Sequence, residues 1–162
     1  MKLAYLGPAG TFGEEAALRF APDAELLPFP SHPAVAAAVE SGMADTGVVA
    51  VENLINGSVP ETLDILIHET TLQIQAELIL PVVLNLVVKP GTRADQVKVI
   101  YSHAVALGQC RKFVERCFPR AQLEAALSTT EAVDLAFARE GDAAAIATVR
   151  ASELRGGEIL AQ

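Results

Sequence analysis

Short apolar runs alternate with longer amphipathic segments along most of this chain. The apolar runs are rich in Val, Ile, Leu and Ala, which is typical of strands buried in a sheet. The runs predicted to be strands span residues 2–6, 24–29, 46–51, 72–80, 82–88, 97–101, 123–127 and 143–148. The segments predicted to be helices span residues 12–20, 34–40, 59–68, 104–118, 129–140 and 149–154. This alternation of strands and helices predicts an α/β fold.

Ser or Thr stands at four of the predicted strand-to-helix junctions, namely Thr11, Ser58, Ser102 and Ser128. Both residue types are good helix N-caps, so each junction by itself is explained as a local cap. A helix N-terminus also offers unpaired N–H groups and about half a positive charge. Four such junctions together therefore also suit a shared anion site. Gly10, in the tight turn before Thr11, lets the backbone approach a ligand closely.

The most informative stretch follows the third predicted strand, whose apolar β-branched end is expected to be buried. It brings a carboxylate and an amide together, Glu52 and Asn53. Asn56-Gly57 is a turn signal, and Ser58-x-x-Glu61 has the form of a capping box with Pro60 in the first helical turn. The stretch therefore predicts a strand, a polar crest, a loop and a helix N-terminus at the carboxyl end of a sheet, where open α/β folds bind ligands.

Composition restricts the partners of the chain. Its 162 residues are 51% hydrophobic and carry a formal net charge of −8. This charge speaks against nucleic acid or an anionic membrane as a partner. An anionic substrate would have to be held by local N–H donors rather than by bulk charge. No apolar run is long enough to cross a bilayer and no signal peptide is recognised, so we expect a cytoplasmic protein.

The cysteines and histidines do not suggest a metal site. Cys110 and Cys117 lie on one predicted helix, about 10 Å apart along its axis at about 1.5 Å per residue, which exceeds disulfide reach. We expect both to be buried or partly buried thiols, and His32 to be a surface loop residue. The three histidines are scattered and no cysteine pair has ligand spacing, so we expect no structural zinc site.

Two lobes are predicted, covering residues 1–79 and 80–162 and joined near Leu80-Pro81. Each half contains its own series of strands, caps and helices, and the proline separates the two series. A single sheet that ran through both halves would contradict this division.

Four motifs resemble those of prephenate dehydratases. Residues 5–12 read YLGPAGTF, which is similar to the opening motif of that family. Residues 51–59 read VENLINGSV and resemble the family pattern V/I-E-N-S-I-x-G-S-V. Residues 102–110 read SHAVALGQC and resemble S-H-P-Q-A-L-x-Q-C, and Ser128-Thr129 matches the S-T that follows it. The resemblance covers essentially the whole chain, in order and at family-like spacing.

The resemblance implies a two-lobed α/β fold like that of type II periplasmic binding proteins, with the substrate in the cleft between the lobes. It implies a lyase that converts prephenate to phenylpyruvate, water and carbon dioxide in phenylalanine biosynthesis, with no metal or organic cofactor. It implies a homo-oligomer, a dimer or a tetramer. Whether prephenate or arogenate is the preferred substrate stays open.

The resemblance also implies which residues form the site. Asn53, Ser102 and Gln109 match positions that contact substrate, and Glu52 matches a position that shapes the site. The positions expected to bind substrate along the cleft are Gly10, Thr11, Ser58, Ser128 and Thr129. Burial against the preceding strand could raise the pKa of Glu52 and make it a proton donor, although an ionised Glu52 bonded to backbone N–H groups is the simpler interpretation.

The chain departs from the family pattern in several places. Leu54 replaces the usual Ser, Leu84 stands where a His is common, and Ala104 replaces the usual Pro. The Thr-Arg-Phe motif, whose Thr is the favoured proton donor, would follow Gln162, so we expect a truncated catalytic domain without the regulatory ACT domain. The alternatives are a non-catalytic module that binds small anions and an inactive fragment of the same fold.

Overall fold

The protein folds as two α/β units, which we describe from a computed structural model covering residues 1–55 and 57–162. Contacts between residues divide the chain into Met1–Pro81 and Val82–Gln162, called unit 1 and unit 2 below. Within the described residues, each sheet lies in one unit, and none runs through both. The mixed α/β class predicted from the sequence is confirmed.

Unit 1 is built on a small parallel sheet with the strand order β2-β1-β3. Its strands are β1 (Lys2–Leu6), β2 (Glu25–Phe29) and β3 (Thr46–Val48), and its first two helices are α1 (Phe12–Phe20) and α2 (His32–Glu40). Side chains of β1 alternate between two small cores, since successive residues of a strand point to opposite faces. Leu3 and Tyr5 pack with Ala17 of α1, whereas Ala4 packs with Val35 and other residues of α2.

After β3, the chain of unit 1 forms a hairpin and a short helix. The hairpin pairs β4 (Glu52–Asn53) with β5 (Gly57–Ser58) in antiparallel fashion. The helix α3 (Pro60–Asp64) follows and continues as a π-helical turn, Ile65–Glu69. Asn56 of the predicted Asn56-Gly57 turn lies outside the described residues, and Gly57 has a positive φ of 79°.

Unit 2 contains a five-stranded sheet with the order β10-β6-β9-β7-β8. Its strands are β6 (Asn85–Val88), β7 (Val99–His103), β8 (Gln122–Ala126), β9 (Ala143–Ala147) and β10 (Glu158–Ala161), and its helices are α4 (Ala104–Cys117), α5 (Thr129–Ala138) and α6 (Val149–Arg155), with a 3₁₀ turn at Ala94–Gln96. The strands β8, β7 and β9 are parallel, and β6 is antiparallel to both β9 and β10.

The central strands of unit 2 are buried on both faces. Along β9, Ala145 faces the core beneath α5, whereas Ile146 faces the core beneath α4. Small alanines dominate this strand, so the helices can approach the sheet closely. In the part of the chain that the structure describes, no helix is long and apolar enough to cross a membrane.

Three strand predictions are wrong in whole or in part, because the residues concerned have no neighbouring strand to pair with. The strand predicted over 46–51 ends at Val48, because β3 pairs with β1 only as far as Val48 and the chain then turns into the hairpin. The segment 72–80 forms no strand, and residues 82–84 are not part of β6. The side chains of Ile74 and Ile79 are 73% and 77% exposed. Apolar alternation alone therefore does not create a strand, since a strand also needs a partner for its backbone.

Two side chains lie elsewhere than predicted. His32 is buried as the first residue of α2 rather than exposed in a loop, because α2 begins immediately after its N-cap, Ser31, and packs onto the unit. Cys117 is exposed in the last turn of α4. Cys110 is half-buried as predicted, and its burial raises the pKa of the thiol. Both cysteines are free, as expected from their spacing.

Candidate active site

The polar motifs of unit 1 lie at one edge of its parallel sheet. Leu6 at the end of β1 is in register with Phe29 at the end of β2, and each strand is followed by a helix with a hydroxyl cap. Thr11 caps α1 and Ser31 caps α2. The edge therefore presents the carboxyl ends of the strands and two helix N-termini, which is the part of an open α/β sheet where ligands bind.

The Thr11 junction holds a carboxylate that belongs to the chain itself. Thr11 Oγ1 accepts a hydrogen bond from Glu14 N (3.4 Å) and donates to Pro8 O (2.8 Å). The Glu14 carboxylate is buried and accepts from Gly10 N at 2.7 Å. The predicted cap at Thr11 is confirmed, but Glu14 reaches back to Gly10 N rather than to the N–H of Thr11. The backbone N–H of Gly10 is thus bound to an internal carboxylate, and carboxylates favour a helix N-terminus.

Asn53 lies in the β4–β5 hairpin with Glu52. Asn53 is half-buried and its Oδ1 accepts from Ile55 N at 3.0 Å, whereas Leu54 beside it is 98% exposed. The hairpin closes onto α3 through a hydrogen bond from Val59 N to Val51 O at 2.8 Å. The Asn53 amide is consequently held in a turn at the end of the hairpin, in a position that is partly open to solvent.

The structure corrects two expectations about this hairpin. Glu52 is exposed rather than buried, because Val51 and Glu52 lie beyond the end of β3, so the burial on which its role as a proton donor depended is absent. Ser58 is exposed in β5 and does not cap α3. The N-cap is Val59, which offers no side-chain acceptor, and Pro60 occupies the first turn as predicted.

Ser102 is the last buried residue of β7, not the cap of α4. It is fully buried, and its hydroxyl donates to Ile146 O of β9 at 2.6 Å. The cap of α4 is His103, whose Nδ1 accepts from Val105 N at 3.4 Å. The strand runs longer than predicted because β8 supplies a partner as far as His103. Gln109 is half-buried in α4, and it does not share a helix face with Ser102, since Ser102 is not helical.

The junction after β8 confirms Ser128 as the N-cap of α5. Ser128 Oγ accepts from Glu131 N at 3.0 Å, and Glu131 Oε2 accepts from Leu127 N at 2.6 Å. Thr129 is the first residue of α5 and is half-buried. Ser128 therefore caps the backbone of Glu131, while the Glu131 carboxylate reaches back past Ser128 to Leu127 N.

Sequence reasoning missed one cap in unit 2. Thr148 follows the buried strand β9, and its Oγ1 accepts from Ala151 N at 2.9 Å at the start of α6. A hydroxyl residue directly after an apolar run was the available signal. The carboxyl ends of β7, β8 and β9 therefore carry His103, Ser128 and Thr148 along one edge of the sheet.

The predicted site residues fall into two sets, one in each unit. The set of unit 1 contains Gly10, Thr11, Glu52, Asn53 and Ser58, and that of unit 2 contains Ser102, Gln109, Ser128 and Thr129. The predicted convergence of both sets on one cleft stays a prediction. Within residues 1–55 and 57–162, no group of three or more His, Cys, Asp or Glu is arranged to hold a metal ion.

A family model described as prephenate dehydratase matches residues 3–162. The chain belongs to the prephenate dehydratase family. The resemblance carried by the four sequence motifs is thereby confirmed. The prephenate dehydratase of Mycolicibacterium vanbaalenii is 41% identical over 175 aligned residues, which cover 98% of this chain and 55% of the relative.

The chain is also similar to solved structures. The crystal structure of prephenate dehydratase in complex with L-Phe from Arthrobacter aurescens matches with a TM-score of 0.91 and 30% identity, covering 99% of this chain and 55% of that one. GqqA, described as a novel type of quorum quenching acylase, matches with a TM-score of 0.86 and 27% identity over 99% of this chain and 58% of its own. The chain spans about half the length of these relatives.

Proposed function

We propose that this chain binds prephenate and supplies most of the active site for its decarboxylating dehydration to phenylpyruvate in phenylalanine biosynthesis. The observation that carries this proposal is the family match over residues 3–162, within which the polar motif residues stand at the ends of strands and in the Asn53 hairpin. The substrate class is that named for the relatives in the same family.

The reaction needs little more than binding and one proton. Prephenate loses its ring carboxylate as carbon dioxide while the ring hydroxyl takes up a proton and leaves as water. The electron pair of the broken C–C bond completes the aromatic ring. Aromatisation supplies the driving force, so no electron-accepting cofactor is required. The protein has to hold two carboxylates, keep the ring in place and deliver a proton to the hydroxyl.

The amides are the residues of this chain that suit those tasks best. The Asn53 amide stands in a fixed turn, since its Oδ1 is bound to Ile55 N, and a preorganised donor stabilises charge that develops in the transition state. Gln109 would supply a second amide from α4. Thr129 and the backbone beside it at the start of α5 would bind a carboxylate, whereas Gly10 N is already bound to the Glu14 carboxylate.

Glu52 is a weak candidate for the proton donor. Its exposure leaves the carboxyl group in water, without the burial on which the role of proton donor depended. The Thr of a Thr-Arg-Phe motif is therefore the favoured donor, and this motif does not occur in the 162 residues given.

Three further features belong to the proposal. The two units would be the lobes of a periplasmic-binding-protein-like fold with prephenate between them, supported by the division after Pro81. The protein would be a homo-oligomer in the cytoplasm. Support for self-association comes from the exposed apolar side chains of the segment 72–83, because contiguous exposed apolar surface marks interaction sites.

The test compares Asn53→Ala with the unchanged protein, both in this chain and in a version continued through Thr-Arg-Phe. We expect the continued version to release phenylpyruvate from prephenate and Asn53→Ala to lower its kcat by roughly 10²–10³-fold. Gln75→Ala, which removes an exposed amide outside the proposed site, is the matched control. The 162-residue chain should bind prephenate and turn it over slowly or not at all.

The outcomes separate the rival interpretations. Prephenate binding without turnover by the continued version would favour a small-anion-binding module. A fully active Asn53→Ala enzyme would remove Asn53 from the site. Absence of both binding and turnover in a folded, continued protein would overturn the proposed function.

A further inference from the structure

Two buried polar atoms lie at one helix–helix contact of unit 1. His32, in the first turn of α2, is 7% exposed, and Thr62, in α3, is 1% exposed. The two helices pack against each other. His32 Nδ1 and Thr62 Oγ1 have no hydrogen-bond partner in the part of the chain that the structure describes. Buried polar groups are normally bonded, and each unbonded one costs about 1–3 kcal/mol. An unsatisfied pair at one contact therefore calls for an explanation beyond packing.

Helix α2 interacts with both ends of the helical segment that follows the Asn53 hairpin. This segment consists of α3 and the π-helical turn. At the far end, Thr70 Oγ1 donates to Glu40 Oε1 at 2.6 Å, which fixes the end of the π-helical turn to the end of α2. At the near end, the carboxylate of Glu61 acts on His32. The start of α2 therefore lies near the start of α3 and its end near Thr70, so the two helical segments run side by side in the same direction.

The start of α3 is closely connected to the Asn53 hairpin. Only Val59 stands between β5 and α3, and the Val59 N to Val51 O hydrogen bond ties the start of α3 to the base of the hairpin. The N-cap of α3 has no side-chain hydrogen bond. A shift of the first turn of α3 is therefore transmitted directly to the strand pair that carries Asn53.

A positive charge on His32 would disturb the contact between α2 and α3. Burial lowers the pKa of His32 and the Glu61 carboxylate opposes that effect. The other charged side chains on the elements packed against α2 are Lys2 on β1, Glu25 on β2 and Asp64 on α3, and Glu40 on α2 itself is bonded to Thr70. A protonated His32 would carry its charge in a buried position, away from water. The exposed carboxylate of Glu61 is the anion that acts on it.

We propose that His32 is a positioning residue for the dehydratase reaction: as neutral imidazole it keeps α3 docked on α2, and its protonation draws it toward Glu61 and displaces the Asn53 hairpin. The catalytic consequence rests on the proposed function, whereas the coupling between His32 and the hairpin is independent of it. The rate of the reaction would then fall below the pKa of His32 by about tenfold for each pH unit, as expected for one proton.

The same protonation affects stability, with a definite sign. Since the folded-state pKa of His32 lies below its ordinary value of 6.5, the unfolded chain binds the proton more readily. The free energy of unfolding therefore rises with pH between the folded-state pKa of His32 and its ordinary value. The contribution of neutral His32 is complete above about pH 6.5 and is lost as the pH falls toward the folded-state pKa.

The coupling is tested by NMR on the 162-residue chain. The imidazole resonances of His32, His68 and His103 are followed from pH 4.5 to 8, together with the amide resonances of Asn53 and Ile55. We expect the Asn53 and Ile55 resonances to titrate with the same midpoint as His32, below 6.5. In His32→Asn that titration should disappear, and in the matched control His68→Asn, at an exposed position, it should persist.

Glu61→Gln provides a second, milder variant that keeps His32. Removing the carboxylate that raises the His32 pKa should move the shared midpoint of His32 and Ile55 to lower pH. Hairpin resonances that do not follow His32, or that still titrate in His32→Asn, would overturn the proposal. So would an unchanged midpoint in Glu61→Gln.

The catalytic consequence is measured as the pH profile of kcat and KM with prephenate, in the version continued through Thr-Arg-Phe. The acid limb of kcat should vanish in His32→Asn, with KM less affected, whereas a merely structural role would lower activity equally at every pH. Absence of turnover at any pH would refute the proposed function alone, because the NMR titration decides the coupling independently. An acid limb that persists in His32→Asn would refute the positioning role.

Discussion

Ser102→Ala tests whether the hydroxyl of Ser102 contributes to the stability of unit 2 or to substrate binding. The parallel pairing of β7 with β9 has its last register pair at Tyr101 and Ala145. One residue further along, the Ser102 hydroxyl donates to Ile146 O at 2.6 Å and extends the connection between the two strands. The substitution removes this donor from a fully buried position and leaves the rest of the side chain unchanged.

The expected cost follows from that burial. A neutral hydrogen bond contributes about 0.5–1.5 kcal/mol net, and more is lost when a buried partner is left without its donor. Ser102 is 0% exposed, so water does not replace the hydroxyl without rearrangement. We therefore expect a loss of about 1.5 kcal/mol in the free energy of unfolding. With a urea dependence of about 1–3 kcal/mol per M, the midpoint should fall by roughly 0.5–1.5 M.

The assay is urea denaturation followed by circular dichroism, with prephenate binding measured on the same samples. Ser58→Ala makes the same chemical change at an exposed strand position and should stay within about 0.5 kcal/mol of the unchanged protein. A Ser102→Ala midpoint equal to that of Ser58→Ala would refute the structural role. If prephenate binding were lost at an unchanged midpoint, the hydroxyl would serve the substrate instead.

Three further substitutions probe local features, each measured by the same denaturation. Gly13→Ala should destabilise the protein by about 1–3 kcal/mol, because a Cβ there would collide with the backbone carbonyl of Leu6; an unchanged midpoint would mean that this approach is loose. Gly108→Ala should instead stabilise it by about 0.5–1 kcal/mol, since a Cβ in that helical position meets open space, and a loss would reveal a contact that we have missed. Thr148→Ala should cost about 1 kcal/mol through loss of the cap on Ala151 N, whereas Thr148→Ser should retain most of it.

The sequence alone determined the local elements whose signals lie within a few residues. The strand Lys2–Leu6, the cap at Thr11 and the helix to Phe20 follow from an apolar run, a hydroxyl and helical periodicity, each decided by neighbours in the chain. The cap that Ser128 provides at the start of α5 is equally local. Family membership was readable for the same reason, because the motifs are contiguous and keep their order.

Only the tertiary structure decided which segments find partners and which side chains are enclosed. The apolar run before Glu52 ends as a strand at Val48, and the segment 72–80 forms none, because pairing depends on strands distant in the chain. Ser102 stands at a predicted helix start but is buried because β9 lies beside it. His32 is buried because α2 packs against α3. Burial and long-range hydrogen bonds are set by residues tens of positions away, and no local pattern contains that information.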